Sequence, residues 1–111
     1  AGHLEFQYTA RASYACNKAF NAPVGRAFGL IVGAPAGIGF VMSDTALKAA
    51  EVELIDYMSP TRGLSLTNEV VITFTGDSGA VRQALIAARS IGKKLLGAMG
   101  AEPKSATTPY I

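Results

Sequence analysis

Apolar and polar residues alternate with a period of two in two stretches of the chain and recur with a helical period in three others. Residues 3–8 (HLEFQY) place Leu4, Phe6 and Tyr8 on one side and His3, Glu5 and Gln7 on the other, which predicts a half-exposed strand. Residues 69–75 repeat the pattern, with Val70, Ile72 and Phe74 facing one way and Val71, Thr73 and Thr75 the other. Residues 27–33 are apolar throughout, as expected of a strand buried on both faces. Residues 52–58 read as a fourth strand, followed by the turn-rich SPTRGLS. Strands joined by so short a loop are expected to pair as an antiparallel hairpin.

The helical stretches fall between these strands. Over about residues 12–20, Ala12, Cys16, Ala19 and Phe20 share one face, and Asn21-Ala22-Pro23-Val24-Gly25 breaks the helix. Over residues 38–51, Ile38, Val41, Met42, Ala46 and Ala49 form a wide apolar face. Asp44, Lys48 and Glu51 form a narrow polar stripe there, with Asp44 and Lys48 in the favourable order for an ion pair one turn apart. Phe40 and Leu47 lie almost opposite the main apolar face. A helix in a monomer does not need this second strip, so both residues are candidates for contact with a neighbouring subunit. Asp77 and Ser78 are suitable N-caps for the last helix, in which Val81, Ala84, Leu85, Ala88, Leu95 and Met99 keep helical spacing. Arg82, Arg89 and Lys93 share its polar side, and Gly97 and Gly100 allow it to end. Residues 101–111 hold two prolines and several small polar residues and read as an extended tail. The expected organisation is a single mixed α/β domain over residues 1–100 plus that tail, without repeats or a second domain.

Composition adds one expectation. The chain has 111 residues, 50% hydrophobic and 16% charged, against roughly 25% charged in an ordinary soluble domain. Its longest apolar runs fall short of the ~18 residues of a membrane span, so the surplus is expected to face other protein subunits, not lipid. A net charge of +2, from basic residues scattered along the chain, gives no nucleic-acid surface. Cys16 is the single cysteine, which excludes an internal disulfide framework and fits a reducing, cytoplasmic compartment; no signal peptide is visible.

Little in the sequence points to catalysis. Gly33-x-x-x-Gly37-x-Gly39 after a strand looks like a dinucleotide-binding turn, with Asp56 placed to mimic the ribose-binding acid. Against that, the strand at Asp56 leads into a hairpin instead of a second crossover helix, the chain is short, and no Tyr-x-x-x-Lys pair occurs. Close packing of strand on helix explains the glycines better. His3 is the only histidine, so neither a Ser/His/Asp set nor a metal cluster is expected, and Cys16 reads as a small core residue. No catalytic residue, cofactor or metal is predicted.

Residues 43–54 (SDTALKAAEVEL) are similar to the "ADAMLKAANVELV" signature of bacterial microcompartment (BMC) shell domains, and residues 70–82 (VVITFTGDSGAVR) resemble the strand, Gly-Asp and helix start of the same family. In the usual member a final strand and short helix follow that helix. Here HLEFQYTARASYACNKAF, which looks like that unit, comes first, so the resemblance is to the circularly permuted form. AGHLEFQYTARASYA, GAPAGIGF and GAEPKSATTPYI further resemble the second half of tandem-domain members, in which three two-domain subunits make a hexagonal tile; one half is present here. The resemblance implies a permuted α/β (α+β) domain with a four-stranded antiparallel sheet, helices mainly on one face, and a ferredoxin-like relationship. It implies a non-enzymatic shell protein that self-assembles into trimeric (two-domain) or hexameric tiles and sheets with other shell proteins. The pores of such tiles pass small polar metabolites in propanediol, glycerol or ethanol utilisation. By residue, it implies that Lys48 and Arg11, with Asp44 beside Lys48, lie at the tile edge. Ser59, Pro60, Thr61, Arg62, Gly63, Leu64 and Ser65 would form the loop that approaches the pore. Two alternatives stand beside this reading: a dinucleotide-binding fragment using residues 33–39, and a small-molecule-binding regulatory trimer of ferredoxin-like type.

Overall fold

The computed structural model of the chain describes residues 2–60 and 68–99. In chain order, the elements are β1 (His3–Thr9), α1 (Tyr14–Phe20), β2 (Ala27–Ala34), α2 (Ala36–Ala49), β3 (Val52–Met58), β4 (Val70–Gly76) and α3 (Ser78–Ala98). The strands form one antiparallel sheet in the order β1-β2-β4-β3, so the expected hairpin of β3 and β4 is present. The unbroken apolar run becomes the central β2, buried along nearly all its length between two neighbours.

One face of the sheet carries the main core. Leu4 and Phe6 of β1, Ile31 of β2 and Val70, Ile72 and Phe74 of β4 meet Ile38, Met42 and Ala46 of α2 and Val81, Leu85, Ala88 and Leu96 of α3. Phe6, Phe74 and Leu85 are at most 1% exposed, each worth about 2–3 kcal/mol of burial. The opposite face is covered more lightly by α1, where Ala12, Ala22 and Phe28 form a small cluster edged by Cys16, Leu30 and Ile55. On that face of β4 Thr75 donates its hydroxyl to the Ala27 carbonyl at 2.6 Å. Thr73, two residues earlier and also buried, leaves its Oγ1 without a partner.

Several element boundaries differ from expectation for local reasons. α1 starts at Tyr14, not Ala12, because Ser13 caps it by accepting from the Cys16 amide at 3.1 Å. Its expected apolar face is not a buried one: no α1 residue is fully buried, and Phe20 is half-exposed against Phe28. α2 begins two residues earlier than its apolar period, and Val41 lies outside its buried face, which instead includes Gly39 and Ser43. The Ser43 hydroxyl donates back to the Gly39 carbonyl at 2.8 Å, which lets a polar residue sit there. Asp77 takes the N-cap backbone conformation of α3 but makes no side-chain cap, its carboxylate lying 3.5 Å from Arg26 instead. Gly97 falls inside α3, and Gly100 and the expected tail 101–111 lie outside the described residues.

β3 is the outer strand next to β4 and holds the one register change that matters for the surface. Leu54 pairs with Phe74 and Asp56 with Thr73, so Ile55 is a surplus residue at a bulge. Tyr57 then pairs with Ile72 and returns to the α2 side, where regular alternation would have put Asp56.

Candidate functional site

An open apolar groove of about 680 Å³ lies between α2 and β3. Phe40 and Leu47 line it from the helix, Leu54 and Tyr57 from the strand, and Ser59 and Pro60 stand at its end. Phe40 is 68% exposed, Leu54 44% and Tyr57 41%, a cluster of large apolar side chains that a lone domain leaves in water. Of the two residues expected to form a second apolar strip on α2, Phe40 does project outward. Leu47 is intermediate, partly packed against the main core as well as lining the groove. Leu54 and Tyr57 belong with them, although three residues apart in a strand they would ordinarily face opposite ways; the bulge at Ile55 aligns them. Asn68 closes the groove near the start of α2, its Oδ1 accepting from the Ala36 amide at 3.2 Å.

Lys48 and Asp44 form the expected pair on α2, Nζ to Oδ2 at 2.8 Å, with side chains 75% and 51% exposed. Such a pair contributes only about 0.3–0.5 kcal/mol to the fold. Arg11 is exposed on the segment after β1, the outer strand at the other side of the sheet from β3. Of the expected pore loop, Ser59 and Pro60 are placed at the groove's end, whereas Thr61, Arg62, Gly63, Leu64 and Ser65 lie outside the described residues.

The glycine turn is settled by contact geometry. A Cβ on Gly33 would stand 2.6 Å from the Gly39 Cα, and one on Gly39 would run into the Gly33 carbonyl oxygen and stand 2.9 Å from Val70 Cβ. Gly37 has open space around it. The first amides of α2 are partly occupied: Ala36 donates to Asn68, and Ile38 and Gly39 to the Pro35 carbonyl at 3.0 and 3.1 Å. β2 runs antiparallel to both neighbours, unlike the first strand of a doubly wound dinucleotide domain. These glycines let a helix sit close on a strand, and they do not form a phosphate cradle.

No group of three or more His, Cys, Asp or Glu side chains suited to a metal occurs among the described residues. Cys16 is half-buried, and desolvation pushes its thiol up, so it stays a neutral thiol. His3, expected in a plainly exposed strand position, is about one-third exposed, its Nε2 lying 3.3 Å from Glu5 and 3.7 Å from Glu69. No described helix is long and apolar enough to cross a membrane. What the surface can do chemically is bind apolar protein surface in the groove and present a cation beside it.

Comparison with known proteins gives a consistent result. The profile of the family described as BMC domain matches residues 27–102. The stretch ahead of that match holds β1 and α1, the unit that the permuted form places first. The chain is 61% identical over its whole length to the bacterial microcompartment shell protein PduB of Citrobacter freundii and covers 41% of that relative. It is 54% identical to PduB of Limosilactobacillus reuteri, covering 47% of it. The crystal structure of EtuB from Clostridium kluyveri superposes with a TM-score of 0.90 at 58% identity, over the whole of this chain and 49% of that one. The chain therefore spans about half the length of the relatives it matches.

Proposed function

The chain belongs to the BMC domain family, and from that premise we propose that it is a structural, non-catalytic component of a bacterial microcompartment shell in the cytoplasm. It self-assembles into flat tiles whose pores pass small polar metabolites. The observation that carries this reading is the open groove between α2 and β3, whose exposed Phe40, Leu54 and Tyr57 find full burial only against another domain. Six such domains around an axis, whether supplied by three two-domain subunits or by six single ones, close each groove in turn. The solved PduB structure that matches at a TM-score of 0.85 is described as trimeric.

Lys48 and Arg11 serve as tile-edge cations, with Asp44 holding Lys48 in place by its 2.8 Å contact. Ser59 and Pro60 lead from the groove into the loop that lines the pore. Along that loop the hydroxyls of Ser59, Thr61 and Ser65 replace water around a metabolite, and Arg62 favours anions. The metabolites are those of propanediol, glycerol or ethanol utilisation. Mass measurement in solution and electron microscopy test the proposal: six-domain discs that extend into sheets support it. Compact trimers of single domains that never enlarge would favour a regulatory trimer instead. A clear rise in melting temperature on adding NAD(H) would overturn the shell reading in favour of nucleotide binding.

A further inference from the structure

We propose that a smaller cavity, on the α1 face of the sheet, binds a short aliphatic ammonium ion. It has a volume of about 270 Å³ and lies between the C-terminal end of α1 and the strands β2, β4 and β3. A row of residues across the sheet lines it: Leu30 of β2 pairs with Thr73 of β4, and Thr73 with Asp56 of β3. Residues directly opposite on neighbouring strands stand about 4.5–5.5 Å apart at Cβ, so these three side chains share one surface. Asp56 belongs to the row because of the bulge at Ile55; regular alternation would have turned its carboxylate to the α2 side.

Two polar groups of the row are left over by the fold. Thr73 is 8% exposed, and its Oγ1 has no hydrogen-bond partner, whereas Thr75 on the same face donates to the Ala27 carbonyl. A buried hydroxyl without a partner lowers stability, and a valine of the same shape would not. Asp56 accepts from the Tyr57 amide through Oδ1 at 2.7 Å, which leaves Oδ2 for a further donor. Asn21, which ends α1 in the left-handed conformation at φ 58°, adds a side-chain amide at the edge of the cavity.

This lining selects by charge. Asp56 is the one charged residue among the described residues that line the cavity. The nearby Lys18 lies outside the lining, with its Nζ 5.8 Å from the centre of the Tyr14 ring. An anion is therefore repelled, and a neutral alcohol gains only an ordinary hydrogen bond. A primary ammonium gains a charge-assisted bond to Asp56 Oδ2. Its other N–H donors suit the Asn21 amide oxygen and the Thr73 hydroxyl, once χ1 of Thr73 turns to the staggered position that brings Oγ1 to the ligand. Leu30, Met58 and Val71 supply an apolar wall for the alkyl stem. The inference needs only the folded chain and stands apart from the shell reading.

Three probes that share one alkyl chain and differ in head group test it: n-butylammonium, 1-butanol and butyrate, each titrated at neutral pH into the isotope-labelled chain while its amide resonances are followed. n-Butylammonium should shift the amides of residues 19–21, 56–58 and 71–73 saturably. It should bind about tenfold more tightly than 1-butanol, the margin of a charge-assisted over a neutral hydrogen bond, and butyrate should not bind. Asp56→Asn should erase that margin. Thr73→Val should weaken n-butylammonium binding while raising the melting temperature, two opposite changes that a loss of structure would not give. Butyrate binding as tightly as n-butylammonium, shifts that fail to saturate or that fall elsewhere in the chain, or undiminished affinity in both variants would overturn the assignment.

Discussion

Adding a single methyl group at Gly39 tests the packing of α2 on β2 more directly than any other change. The new Cβ would press on the Gly33 carbonyl oxygen, stand 3.0 Å from the Gly33 carbonyl carbon and 2.9 Å from Val70 Cβ. Two of these three obstacles are backbone atoms of the central strand, so relief requires the helix to lift from the sheet. Overpacking usually costs about 1–3 kcal/mol, and the rigid obstacles place Gly39→Ala near ~3 kcal/mol. At about 4–8 °C per kcal/mol for a domain of this size, the melting temperature should fall by roughly 12–24 °C. Two controls grade the effect. At Gly92 the atoms nearest the added Cβ belong to the Met42 side chain, with Sδ at 2.8 Å, and the flexible methionine can swing away. The better helix propensity of alanine, about 0.8–1.0 kcal/mol, then offsets much of the cost of Gly92→Ala. Gly37→Ala meets nothing within 4 Å and should be neutral or slightly stabilising. Thermal melts followed by far-UV circular dichroism give the order directly. A Gly39→Ala protein melting within about 2 °C of the parent, or a Gly37→Ala protein falling as far as Gly39→Ala, would refute the close-packing argument.

The remaining expectations are shorter. Thr73→Val should stabilise the fold by about 1 kcal/mol, since it removes a buried hydroxyl that has no partner, whereas Thr75→Val should cost about 1–2 kcal/mol by breaking the bond to Ala27; denaturant unfolding measures both. Lys48→Ala should shift stability by no more than about 0.5 kcal/mol yet stop discs from joining into sheets, while Phe40→Asp should keep the fold and prevent the discs themselves; micrographs with unchanged sheets in both would remove the assigned edge and groove roles. Arg62→Glu should alter which small molecules bind or cross the tile without affecting assembly, and transport indifferent to the reversal would show that the loop does not select.

Much of the fold was legible because burial leaves a period in the sequence. The alternation of residues 3–8 and 69–75, the unbroken apolar run that becomes β2 and the helical spacing of α3 each describe how one element meets the core. The site was legible in part. The spacing of Asp44 and Lys48 implies their contact, because one helical turn fixes it locally. The outward position of Phe40 follows from the same geometry. Leu54 and Tyr57 escaped notice because their common orientation depends on a bulge, and a bulge is fixed by pairing with β4, not by the residues of β3 alone. Asn68 was missed as the cap of α2 because it lies 32 residues away in sequence. Pro35, beside the helix start, offers no capping side chain, and that absence is the one local sign that a cap must come from elsewhere.

The bulge at Ile55 also bears on what the protein must avoid. A chain that associates through an open outer strand risks extending its sheet into the next copy, and repetition of that contact builds fibres. β3 is such a strand, but its ladder is interrupted at Ile55, and Glu53 and Asp56 stand exposed on either side of the break. Backbone pairing along that edge is thereby discouraged, while the same bulge gathers Leu54 and Tyr57 toward α2. In the proposed tile, association passes from main chain to side chains, whose shapes can enforce a closed ring where hydrogen bonds alone would continue without end.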